Sequence, residues 1–231
     1  MKDWRLILNE IQEEIGYHGK AHYREAYKKE EYHYWQHIPQ WIFEDATANK
    51  VDRILDVGCA YGTLACFAKK VYDCDVVCID VQEYLDDVIR YNYGLDYYLF
   101  DVETDMDRIK KRCGKFDRII FTEVIEHLFY NPTDTLKNLK ELLVDDGILY
   151  LSTPDAAEWG RVEDGYQHLT EMPYIGTVEK PDFKLIDRHL YQYTANEIHQ
   201  IIVDAEFNID KFEYSKPGRR ARHFNYQLSK G

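Results

Sequence analysis

The chain has 231 residues, 45% of them hydrophobic, and a net charge of −13. That length suits one α/β domain with its own core and some decoration. The acidity works against attraction to phosphate backbones and disfavours a nucleic-acid partner, and no apolar run approaches the length of a membrane span.

Residues 3 to 15 place Trp4, Leu8, Ile11 and Ile15 at helical spacing, and Gly16 supplies the expected stop. The helix follows directly on Met1-Lys2-Asp3, so the sequence reads as a cytoplasmic protein without a signal peptide. Residues 20 to 37 mix aromatic and polar side chains, among them Tyr32, Tyr34 and Trp35, and Pro39 opens a short helix carrying Trp41, Ile42 and Phe43. We read residues 1–49 as an N-terminal helical lid over the ligand edge of a sheet domain, 50–231.

Strands and helices then alternate. Strand one covers 53 to 57, and the run Ile54-Leu55-Asp56-Val57-Gly58-Cys59-Ala60-Tyr61-Gly62 feeds a glycine turn and a helix over 63 to 70. Strand two covers 76 to 79 and ends on Asp80; a helix is expected from Gln82 to Tyr91. Strand three, Tyr97 to Phe100, ends on Asp101, and a charged helix over 105 to 112 leads to strand four, Phe116 to Phe121. A helix from Pro132 to Leu143 and an Asp146-Gly147 turn precede strand five, Ile148 to Ser152. Residues 154–188 lose periodicity and read as a substrate-side insertion. After a helix from Thr194 to Ala205, two strands, 209 to 214 and 223 to 228, form an antiparallel hairpin through Pro217-Gly218. The basic cluster there, Arg219, Arg220 and Arg222, reads as a solvated hairpin tip. Cys59, Cys66, Cys74, Cys78 and Cys113 contain no C-x-x-C pair and read as reduced core thiols.

The glycine turn indicates the class of ligand. A dinucleotide site calls for G-x-G-x-x-G, so that a pyrophosphate can sit on a helix N-terminus. Here the spacing is Gly58-x-x-x-Gly62, and Asp56 precedes it, which suits a cationic ligand better than a diphosphate. The stretch resembles motif I of the class I S-adenosylmethionine-dependent methyltransferases, with Ala60 where that family usually has a middle glycine. The resemblance implies a Rossmann-like methyltransferase fold: a seven-stranded, mostly parallel, doubly wound sheet with a terminal antiparallel hairpin and, here, N-terminal helices. It implies S-adenosylmethionine as cofactor. Asp56, Gly58, Cys59, Ala60 and Gly62 would face its methionine part, Asp80 and Val81 its ribose, Asp101 and Val102 its adenine, with Thr122 at the fourth strand end. A carboxylate has four lone-pair sites and suits a vicinal diol.

The sharpest remaining signal is Thr122-Glu123-Val124-Ile125-Glu126-His127, leaving strand four. If it turns into helix, Glu123 lies one face with Glu126 and His127. With Ser152-Thr153-Pro154 it resembles the ubiquinone-biosynthesis O-methyltransferases and the small-RNA 3′-terminal 2′-O-methyltransferases. The latter bind a metal through Glu-x-x-Glu-His plus a distant histidine, and His189-Leu190-Tyr191-Gln192-Tyr193-Thr194 resembles the stretch that carries it. Glu123, Glu126, His127 and His189 are therefore a candidate set for Mg²⁺, Mn²⁺ or Zn²⁺. A metal-free base, His127 with Glu123 beside it, and a purely structural role are the alternatives; His168 is a weaker candidate. The expected acceptor is a hydroxyl of a small molecule, sugar or catechol-like. RNA-end 2′-O-methylation, N-methylation and a non-catalytic cofactor-binding subunit are the alternatives, and the oligomeric state is open.

Overall fold

Short β-branched runs build the centre of the protein. In the computed structural model, which describes residues 3–18, 21–181, 188–215 and 221–231, β1 (Arg53–Val57), β2 (Asp75–Asp80) and β3 (Asp96–Leu99) are joined by α4 (Thr63–Tyr72) and α5 (Asp87–Tyr93). Helix α6 (Met106–Cys113) leads to β4 (Phe116–Thr122), and α7 (Pro132–Leu142) to β5 (Leu143–Pro154). After the short α8 (Ala156–Trp159) and then α9 (Ala195–Asp204), β6 (Phe207–Tyr214) and β7 (His223–Lys230) close the sheet. Its order is β3-β2-β1-β4-β5-β7-β6. Strands β1 to β5 pair in parallel, and β7 is antiparallel to both of its neighbours. The expected sheet and its terminal hairpin are both present.

The chain moves outward from β1 to β3 and then restarts at β4 on the other side of β1. This reversal opens a crevice beyond the carboxyl ends of β1 and β4, where open parallel sheets hold ligands. Alternation along the strands supplies two cores. Leu55, Val57, Val77 and Ile79 face the layer holding Ile109, Leu139 and Ile202. Ile54, Val76 and Cys78 face Phe67 of α4 and the N-terminal helices. Helices α1 (Trp4–His18) and α3 (Ile38–Ala48) place Ile11, Ile15, Ile38 and Ile42 in that second core, so the N-terminal layer is packed onto the sheet domain. All five cysteines are buried as free thiols. No helix among the described residues is long and apolar enough to cross a membrane.

Several expectations change. Gly16 does not stop α1, which continues to His18 with Gly16 close to the side chains of Arg24 and Lys28. A π-helical turn, Tyr23–Tyr27, runs into α2 (Lys28–Tyr34). The helix expected from Gln82 starts at Asp87 because the Asp86 side chain caps it, accepting from Val88 N at 2.9 Å. The Asp146-Gly147 turn is absorbed into β5, whose pairing with β4 jumps from Phe116↔Leu143 to Arg118↔Ile148. The Pro217-Gly218 turn, Arg219 and Arg220 lie outside the described residues, as do 182–187 of the expected insertion. Arg222 pairs with Asp155 at 2.6 Å.

Candidate active site

The turn after β1 holds three residues in the left-handed region: Gly58 at φ +70°, Ala60 at +46° and Gly62 at +81°. A Cβ on Gly58 would meet Val124 Cγ2 at 2.3 Å, and one on Gly62 would meet Leu85 Cδ1 at 2.6 Å; a side chain at either position would have to displace that neighbour as well as adopt the positive φ that favours glycine. Ala60 pays about 1–2 kcal/mol for its backbone, which is the physical reason to expect glycine there. Its amide is held in compensation by Asp80, whose Oδ2 accepts from Ala60 N at 2.9 Å while Oδ1 accepts from Gln82 N at 2.9 Å. Asp80 is therefore a brace for the turn, with lone pairs left over for a ligand.

A cleft of about 460 Å³ opens at this switch point. Gly58, Ala60, Asp80, Val81, Thr122, Glu123 and His127 line it, faced by His22, Tyr27, Tyr61 and Tyr84. An adjoining recess is lined by Asp56 and Cys59. Gly62 lies at the start of α4 as its N-cap. Asp101 and Val102 line neither space: Asp101 pairs with Lys180 at 2.6 Å, and Val102 is packed in the core. Burial, and the charge of Asp80, push the Asp56 carboxyl up to about 8.

Residues 23–211 match the family model described as a methyltransferase domain. The chain belongs to that family, as an S-adenosylmethionine-dependent methyltransferase. It is 30% identical over 116 residues to the sphingolipid C9-methyltransferase of Candida albicans, a match covering 44% of this chain. The matched part spans 21% of that relative's length. Among solved structures, the fold resembles the 1,6-didemethyltoxoflavin-N1-methyltransferase of Burkholderia thailandensis with bound S-adenosylhomocysteine (TM-score 0.58, 15% identity, 82% of this chain and 75% of that one). It also resembles the magnesium protoporphyrin IX methyltransferase of Synechocystis with bound S-adenosylhomocysteine (TM-score 0.58, 18% identity, 85% and 81%).

At the β4 end of this methyltransferase the expected helix does not form. Glu123 takes φ +54°, and only a 3₁₀ turn, Ile125–His127, follows. The i, i+4 geometry is lost, and Glu123 falls outside the tight group formed by the other three candidates, although its carboxylate stays beside that of Glu126. Its Oε1 accepts from Ser152 Oγ at 2.7 Å. Oε2 lies 2.8 Å from His223 Nδ1, an ion-pair contact rather than an aligned hydrogen bond. Burial alone would raise the Glu123 carboxyl, but His223, Ser152 and His189 together outweigh it and hold the group below the usual range.

Glu126, His127 and His189 do converge, with one ligand atom from each within 4.8 Å of the others. The loop carrying His189 is pinned here because Leu190 N and Tyr191 N donate to the Glu126 carbonyl at 2.7 and 3.1 Å. Glu126 is fully buried; Oε2 accepts from Thr153 Oγ1 at 3.0 Å, and Oε1 has no hydrogen-bond partner among the described residues. Burial and then the neighbouring Glu123 charge push its carboxyl well above the usual range. His127 Nδ1 lies 2.9 Å from the Arg188 carbonyl and donates to it, which leaves the lone pair on Nε2. An orphaned carboxylate oxygen beside two imidazoles fits a divalent ion. His168 is exposed and stands apart from this group.

Two residues at the site, and one lysine outside it, carry no local sequence signal. Glu31 reads as one charge in the solvated run Lys28-Lys29-Glu30-Glu31, yet it is 2% exposed and lines the recess. His223 reads as the start of a strand. Lys180 lies in the aperiodic segment and bridges Asp101 to Glu103, at 2.6 and 2.5 Å. Only its spacing from other charges could have drawn attention to it.

Proposed function

We propose that this methyltransferase methylates a hydroxyl of a small molecule that offers two neighbouring oxygens, with a divalent ion held by Glu126, His127 and His189. The buried, unpartnered Oε1 of Glu126 carries the proposal, because an uncompensated buried oxygen of this kind is costly unless something binds it. When bound, S-adenosylmethionine supplies an electrophilic methyl on its sulfonium, and the ion lowers the pKa of the acceptor hydroxyl. The chain does the rest by positioning. Asp80 braces the glycine turn and offers its remaining lone pairs to the ribose, while Gly58 keeps the backbone close to the ligand. Glu123, fixed by Ser152 and His223, takes the hydroxyl proton on its carboxylate. Tyr27, Tyr61 and Tyr84 wall the cleft against water. The −13 charge supports a small acceptor over an oligonucleotide.

The similarity to a sphingolipid C9-methyltransferase, together with these aromatic walls, favours a second reading, carbon methylation of a lipid chain. Labelled-methyl transfer to catechols, polyols, a short oligoribonucleotide and a sphingolipid, each with and without a chelator, separates the two. We expect label in a catechol or polyol, lost with chelator and restored by Mg²⁺ or Mn²⁺. Label confined to the lipid or the oligonucleotide would reject the proposal. Hydroxyl methylation that survives chelation would move the base to His127 and leave the trio without an ion.

A further inference from the structure

Behind the glycine turn, the recess is lined by Tyr27, Glu31, Trp35, Asp56 and Thr63, and shares Gly58, Ala60 and Glu123 with the main cleft. Glu31 and Asp56 are 2% and 3% exposed, and no lining residue is basic. Glu31 is held by neutral groups from three other elements. Its Oε1 accepts from Gln12 Nε2 of α1 at 2.8 Å and from the Tyr23 hydroxyl of the π-helical turn at 2.7 Å. Its Oε2 accepts from Thr63 Oγ1, at the start of α4, at 2.9 Å. These donors fix the carboxylate without cancelling its charge. The nearby Lys28 ammonium is directed elsewhere, 2.7 Å from Glu13.

A buried carboxylate held only by neutral donors is costly to keep charged, and the cost falls when a cation arrives. The cofactor of this enzyme carries one on its amino-acid arm. A ligand whose ribose reaches Asp80 passes that arm along Gly58 and Ala60, the walls shared by cleft and recess. We propose that Glu31 is the receptor for the α-ammonium of the cofactor, shared with Asp56 and flanked by the rings of Tyr27 and Trp35, which add cation–π attraction. The group comes from the N-terminal layer and not from the strand ends. Because Glu31 also binds Gln12 and Tyr23, cofactor binding and the seating of α1, the π-helical turn and α2 reinforce each other.

Calorimetry tests this without any acceptor, using S-adenosylhomocysteine and 5′-methylthioadenosine, which lacks the amino-acid arm. Glu31→Gln should weaken the first by about tenfold or more, as expected for a lost charge-assisted hydrogen bond, and leave the second nearly unchanged. Tyr23→Phe removes a donor but keeps the charge; it should lower the thermal midpoint and preserve the affinity ratio of the two ligands. If Glu31→Gln does not fold, the wild-type protein still decides: an S-adenosylhomocysteine analogue lacking only the amino group should bind about tenfold more weakly. Equal losses for both nucleosides in Glu31→Gln, no loss for either, or full affinity of the deaminated analogue would overturn the proposal.

Discussion

Asp45→Ala will destabilise the protein by about 3–5 kcal/mol, the usual cost of breaking a buried ion pair from one side. Asp45 of α3 receives Arg118 of β4 in a forked contact, Nε to Oδ2 at 2.7 Å and Nη2 to Oδ1 at 3.0 Å. The two side chains are 8% and 6% exposed. The Tyr72 hydroxyl and the Asn49 amide also donate to the same carboxylate. Burial alone would raise the Asp45 carboxyl, but Arg118 and Tyr72 outweigh it and hold the group below the usual range. Removing the carboxylate strands a guanidinium next to the sheet, whereas removing both charges leaves nothing to solvate. The pair Asp45→Leu with Arg118→Met should therefore recover most of the loss. Urea unfolding of the three variants reads it directly. A single-variant loss below about 1 kcal/mol, typical of an exposed pair, would show that α3 is not anchored here.

Stability without ligand should fall as pH rises from about 5 to about 8. Asp56 and Glu31 contribute, and the raised Glu126, Asp80 and Glu103 carboxyls act in the same sense. Burial and Asp80 push Asp56 from an ordinary 3.8 to about 8; burial, opposed by hydrogen bonds from Gln12, Tyr23 and Thr63, moves Glu31 from 4.5 to about 7. Between the unfolded and folded values the native state holds more protons than the unfolded chain, so raising the pH favours unfolding. Glu197 behaves in the opposite sense. Burial would raise it, but bonds from Tyr191, Thr194 and Arg161 hold it at about 2, so its contribution is lost only in acid, below this window. Urea midpoints across the range, with Asp56→Asn flattening the slope, check the assignment. A midpoint that is flat or rises towards pH 8 would show that these carboxyls are hydrated.

The sheet was legible because its strands are short buried runs bounded by Asp and Gly; β1 matches its expected bounds, β2 and β3 differ by one residue at each end, and β4 by one residue at its end. The glycine turn was legible for the same steric reason that makes it useful. The segment after β4 departs from its expected helix: Glu123-x-x-Glu126-His127 has helical spacing, but Glu123 takes positive φ, with Val124 close to Gly58, a bond from Ser152 and an ion-pair contact with His223. Tertiary contact overrode local spacing there. His189 was found through its resemblance to a known ligand stretch. Glu31, His223 and Lys180 depend on contacts across 32, 100 and 79 positions of chain, to Thr63, Glu123 and Asp101, which no local pattern encodes.

In the proposed site, Glu126, His127 and His189 hold a divalent ion beside the methyl donor. Titration of Mn²⁺ into the protein saturated with S-adenosylhomocysteine and a catechol, followed by electron paramagnetic resonance, tests it most directly. One ion should bind per chain, and His189→Ala and Glu126→Gln, which remove ligands, should weaken it by at least the about 10–100-fold lost when an outer-shell partner is removed, with Glu123→Gln closer to wild type. No bound ion, or equal affinity in wild type and His189→Ala, would contradict it.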